Sequence, residues 1–155
     1  SSATLPVWGM IEDADVDTYL EATQSVSTES YVVVHMMEEH IAACVRLDFR
    51  LAELARKYDH VRFLSLCATE ARPHTDVDTL PLLVVYRGGE YLSHQEKVNS
   101  LPGVGDDLKL AGVEALLRQL GTKLTSSVAL SARQQEQLER LQEERGDERD
   151  DDDDD

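Results

Sequence analysis

Cysteine is scarce: Cys44 and Cys67 are the only two in 155 residues. Two thiols are too few for a disulfide framework and fit a reducing compartment. Positive charge is also scarce, with 15 Lys and Arg against 31 Asp and Glu and a formal net charge of −16. A nucleic-acid partner needs a basic face to neutralise its phosphates, so no nucleic acid is expected. Anionic membrane surfaces are disfavoured for the same reason. Apolar runs are only a few residues long, far short of the ~20 that cross a bilayer, so no membrane insertion is expected. No charged-then-apolar leader opens the chain, so no secretion signal is expected, and its first residue is Ser1 rather than Met, as in a processed or truncated form. Aromatic residues make up 5%, with Trp8 the single tryptophan. What is present is a 41% hydrophobic fraction, enough for a core and against full disorder. The expectation is an acidic cytoplasmic chain with a single folded body.

The charge is concentrated at one end. Residues 143–155, EERGDERDDDDDD, close on six consecutive aspartates, Asp150, Asp151, Asp152, Asp153, Asp154 and Asp155. Such a run repels itself and has no apolar face, which predicts a disordered acidic tail. Residues 122–142 form a linker and a marginal, exposed helix, whose few leucines (Leu130, Leu138, Leu141) make too thin a stripe to dock. Residues 1–12 are an N-terminal lead-in, and the body spans 13–121.

Within the body two periodicities alternate. A helix is expected over 13–22 with Asp15 as its cap. YVVVHM at 31–36 is a β-branched run typical of a strand buried on both faces. Over 38–58, Cys44, Leu47, Leu51, Leu54 and Tyr58 fall on one helical face. VRFLSLC at 61–67 and LLVVY at 82–86 are further strands, and Arg87-Gly88-Gly89-Glu90 is a turn into a fourth at 90–95. Asp106 precedes a last helix carrying Leu108, Val113, Leu116, Leu117 and Leu120, with Gly121 at its left-handed end. The order α-β-α-β-β-β-α predicts a mixed α/β sheet flanked by helices.

Few residues invite chemistry. Five histidines (His35, His40, His60, His74, His94) and two cysteines form no four-ligand set at zinc spacing, so no metal is expected. No G-x-x-x-x-G-K, G-x-G-x-x-G or G-x-S-x-G occurs, and no cofactor is expected. The acid pairs Glu38-Glu39 and Asp106-Asp107 fall at expected helix starts, where they stabilise the dipole. Trp8 and Pro6 are expected to seal the core edge, and Tyr86 and Tyr91 to be cross-strand neighbours. Cys44, on the apolar stripe, is expected to be a buried inert thiol.

The element order, with Leu80-Pro81 before the third strand, resembles the thioredoxin fold. There a C-x-x-C opens the helix after the first central strand, and a cis-Pro opens the antiparallel hairpin. Here that junction is His40-Ile41-Ala42-Ala43-Cys44: Ile41 stands in place of the attacking cysteine, and Cys44 remains. Disulfide exchange needs a thiolate to attack and a second thiol to resolve. His35 stands where redox-active thioredoxins carry a buried acid. The stretches VVVH, IAAC, LAELARKYDHVRF, LPLLVVYRGGEYL and GDDLKLAGVEALLRQLG resemble the phosducin and phosducin-like family over about residues 7–121. That resemblance implies a thioredoxin-like domain without its C-x-x-C and a non-enzymatic role. The partners it implies are G-protein βγ subunits, or the cytosolic chaperonin and its clients. The degenerate motif positions are then His35, Ile41, Cys44 and Pro81, and the aspartate run would steer basic partners. The alternative, from the enzyme class, is a monothiol oxidoreductase acting through Cys44.

Overall fold

In the computed structural model, the described residues are 5–128, 133–134, 136–137 and 139–144. The centre is β2 (Tyr31–Met37), whose Val32, Val33 and Val34 are all buried, as a strand covered on both faces requires. β3 (Arg62–Cys67) lies parallel to it, with Val33 beside Phe63 and His35 beside Ser65. β4 (Leu82–Arg87) pairs antiparallel on its other side, and β5 (Glu90–Gln95) closes a hairpin through Gly88 and Gly89. Both glycines have positive φ, 60° and 81°, the conformation such a turn demands. The sheet order is β1-β3-β2-β4-β5. The expected parallel pair followed by an antiparallel hairpin is therefore present.

One strand was not expected. Ile11–Ala14 forms β1, parallel to β3 at the sheet edge, so residues 13 and 14 are strand rather than the start of a helix. IEDA is too short and too acidic to show a strand period, and its partner lies fifty residues away. Arg62 helps to fasten it, donating to both oxygens of Glu12 (2.8 and 3.1 Å) and to Glu21 (3.2 Å). Trp8 seals this corner by stacking on the Arg62 guanidinium, 4.4 Å from its ring centre. α1 (Val16–Gln24) starts at Asp15, whose carboxylate accepts from Thr18 N at 2.7 Å.

α2 (Ala42–Lys57) and α4 (Leu110–Gln119) cover one face of the sheet. Leu47, Leu51, Leu54, Val113 and Leu117 meet Val33, Phe63 and Leu83 there. α1 and a four-residue helix α3 (Ala68–Ala71) lie against the other face, over Val32, Val34, Leu64 and Leu66. Two helix starts differ from expectation. α2 begins at Ala42 rather than 38, and α4 at Leu110, so neither acid pair sits in a first helical turn. Leu108 is outside α4, at φ 50°, yet fully buried; its apolarity was legible and its backbone was not. The described residues of 133–144 are helical and exposed. Asp150 to Asp155 lie outside the described residues.

Candidate functional site

β2 delivers the chain to the sheet's end and α2 leads away from it. This is the junction where the sequence places Ile41 and Cys44. Ile41 is the N-cap residue of α2, extended at φ −98° and ψ 114°, with no side-chain cap hydrogen bond. It stands partly exposed beside a shallow hollow of about 650 Å³ that also involves His40, Leu80, Lys97 and Asn99. Leu80-Pro81 is cis and enters β4 next to this hollow. The elements therefore bring Ile41 and the proline turn to one end of the sheet, and the side chain offered there is a hydrocarbon.

Cys44 lies one turn further on and is fully buried, packed with Met37, Ala68 and Leu80. Burial pushes its thiol up, and the carboxylates of Asp48 and Glu38 push the same way, against one hydrogen bond from the Glu38 backbone. A nucleophilic thiol needs the opposite setting, exposed and electropositive. Cys67 is also free, and its thiol donates to the Glu38 carboxylate at 3.6–3.7 Å.

Glu38 does not cap α2. Its carboxylate reaches across to accept from Thr69 N at 2.9 Å in the first turn of α3. Hydrogen bonding by Thr69, through its side chain first and its backbone N–H after, holds the Glu38 carboxyl below its usual range despite burial, with Cys67 and His40 adding to the effect. A depressed folded pKa contributes stability that is complete above the unfolded value of 4.5 and is lost as pH falls through the folded one. The urea midpoint of the parent is thus expected to fall more between pH 6 and pH 3 than that of Glu38→Gln. Equal slopes for the two proteins would remove Glu38 from the account.

His35 is fully buried on the α2 face of β2. Its Nδ1 lies 2.6 Å from Asp48 Oδ1, and Ser65 Oγ donates to Asp48 Oδ2 at 3.0 Å. A carboxylate only accepts, so His35 Nδ1 carries the proton of this hydrogen bond; among the described residues Nε2 has no partner. Asp48 was not singled out in the sequence. Its sole signal was an acid on the α2 face that also carries Leu47 and Leu51. The described residues include no group of three or more His, Cys, Asp or Glu side chains able to hold a metal ion. Among them, no helix is long and apolar enough to cross a membrane.

Similarity to known proteins agrees with this geometry. Thioredoxin f from spinach chloroplast superposes with a TM-score of 0.55 at 14% identity, covering 76% of this chain and 98% of that one. A chain in the crystal structure of the ferredoxin:thioredoxin reductase and thioredoxin f2 complex superposes at 0.57 with 16% identity, covering 74% and 97%. Both show the thioredoxin-like fold. Phosducin of Bos taurus is 30% identical over 119 residues, 75% of this chain and 48% of that protein. Phosducin-like protein 1 of Dictyostelium discoideum is 31% identical over 86 residues, 56% of this chain and 27% of that protein. The chain thus spans less than half the length of these relatives. The family model described as Phosducin matches residues 6–145. That model spans the whole thioredoxin-like sheet and the helices on it: the chain belongs to the phosducin family.

Proposed function

We propose that the chain is a non-catalytic, cytoplasmic protein-binding module that regulates G-protein βγ subunits or assists the cytosolic chaperonin with its clients. The observation that carries this reading is the junction at Ile41. A branched hydrocarbon occupies the place of an attacking sulfur, and the remaining thiol of Cys44 is fully buried and raised. Neither half of a dithiol exchange is available there. Membership of the phosducin family supports a regulatory role in those pathways. His35, Ile41, Cys44 and Pro81 then serve as framework, and the run from Asp150 to Asp155 steers basic partners. The monothiol alternative through Cys44 has no support in a thiol that solvent does not reach.

The test uses the full chain twice. Immobilised and exposed to cytosol, it is expected to retain G-protein β subunits or chaperonin subunits. In an insulin-reduction assay with dithiothreitol it is expected to stay at the uncatalysed rate. Capture of neither partner would sink the binding role. Turnover that disappears in Cys44→Ser would sink the non-catalytic one.

A further inference from the structure

β5 is a free edge of the sheet, interrupted by one bulge at Leu92, between the Val85–Ser93 and Tyr86–Tyr91 pairs. No described residue pairs with the outer row of its backbone groups. Tyr91 and Leu92 on it are 55% and 43% exposed. Proline and lysine, which commonly blunt such edges, are absent from Glu90–Gln95.

Beside this edge the α1 face of the sheet is only partly covered. α3 ends after four residues, and the chain returns to β4 through a loop holding one short 3-10 turn at Val77–Thr79. A groove of about 750 Å³ remains between that loop and Tyr19 of α1. Its wall toward β5 is aromatic. The Tyr86 ring packs edge-on against Tyr19 and Tyr91, at 6.2 and 6.3 Å between centres, and Tyr91 also contacts His94. The hydroxyls of Tyr19 and Tyr86 are hydrogen-bonded at 2.9 Å, so the wall is organised before anything enters it.

The charges beside the groove are mostly carboxylates. Glu90 and Glu96 bracket β5 and Asp76 stands on the groove's rim; among the described residues none of the three forms an ion pair. Arg72 is the one arginine or lysine in the lining. Arg87, at the hairpin, is turned away, donating to the Glu29 carbonyl and stacking on Tyr31. With a net charge of −16 behind it, this edge attracts cations and repels a second copy of the chain.

We propose that β5 takes up an extended cationic segment of a protein partner as an added strand, seating one bulky apolar side chain in the aromatic groove. Glu96 lines the groove with Tyr91, while Glu90 lies opposite Arg87 on the other face, ahead of the bulge at Leu92; the segment therefore carries Lys or Arg within reach of both carboxylates and alternates them with its apolar anchor. The proposal rests on the protein-binding reading above and names where and what the chain binds.

The probe is a fluorescein-labelled peptide Lys-Val-Lys-Phe-Lys-Val-Lys, titrated against the full chain at about 0.15 M salt to screen loose attraction to the acidic end. Binding is expected to slow amide exchange in residues 90–95. Tyr91→Ala and Glu96→Lys are each expected to weaken it about tenfold, the first by removing part of the aromatic wall that seats the anchor and the second by reversing a charge partner. Asp107→Lys, an equal charge change on the turn before α4, is expected to leave it unchanged. Equal weakening by Asp107→Lys and Glu96→Lys, or protection only outside 90–95, would overturn the site. So would saturable binding of the peptide with Glu in place of Lys, or self-association that protects these amides without peptide. If peptide binding fails while Tyr91→Ala and the parent capture the same partners from cytosol, this site falls and the protein-binding reading stands.

Discussion

Gly112→Ala is expected to destabilise the fold by about 3 kcal/mol, although glycine in a helix interior is ordinarily worse than alanine by roughly 0.5–1 kcal/mol. Gly112 lies in the first turns of α4, where a Cβ would stand 2.1 Å from Gly103 O and 2.8 Å from its carbonyl carbon. Both are backbone atoms and cannot rotate aside. They belong to a tight segment in which Val104 N and Gly105 N both donate to Leu101 O, and Leu108 N donates to Gly105 O. That segment buries Val104 and Leu108 against α2 and α4. Moving it to admit a methyl group would disturb the core, which is why relief of helix entropy does not win. Gly105→Ala provides the contrast: its φ is 67° and a Cβ meets nothing within 4 Å, so only the left-handed penalty of about 1–2 kcal/mol applies. Urea midpoints of the two variants check the order. A Gly112→Ala protein as stable as the parent would show that α4 and residues 103–104 do not approach this closely.

How much of this was legible in the sequence depends on how local the cause is. YVVVH and LLVVY declare buried strands through their own β-branched residues, RFLSL does so as a short apolar run opened by Val61, and the Gly-Gly hairpin declares itself through the φ values only glycine adopts freely. The stripe Cys44, Leu47, Leu51 and Leu54 gave the buried face of α2 and the burial of Cys44. Non-local causes were hidden. β1 exists because β3 offers an edge, and Arg62, fifty residues on, ties Glu12 to it. Glu38 was expected at a helix start because acids favour that place, but its partner is the amide of Thr69, thirty-one residues away. The hydrocarbon at the start of α2, Ile41, was visible from the residues alone, whereas the groove beside β5 arises from the brevity of α3, which no residue pattern in 68–79 announces.

Asp48→Ala is expected to remove about 2–5 kcal/mol, while Asp48→Asn is expected to stay within about 1 kcal/mol of the parent. Alanine strips the acceptor from two buried donors at once, His35 Nδ1–H and Ser65 Oγ–H. Asparagine replaces both contacts without charge: its carbonyl accepts from His35 and its amide donates to the Ser65 hydroxyl, which can turn to accept. The comparison decides what His35 is for. If the core needs the negative charge, because His35 is held as a cation, asparagine will be nearly as damaging as alanine, since a buried unpaired charge costs several kcal/mol. If the trio is a neutral brace, asparagine will be tolerated. The combined variant His35→Leu, Asp48→Leu, Ser65→Ala should then be close to neutral as well, because all three polar groups leave together. A brace that can be replaced by hydrocarbon has no proton to deliver. His35, Asp48 and Ser65 would then be a strut between β2, α2 and β3.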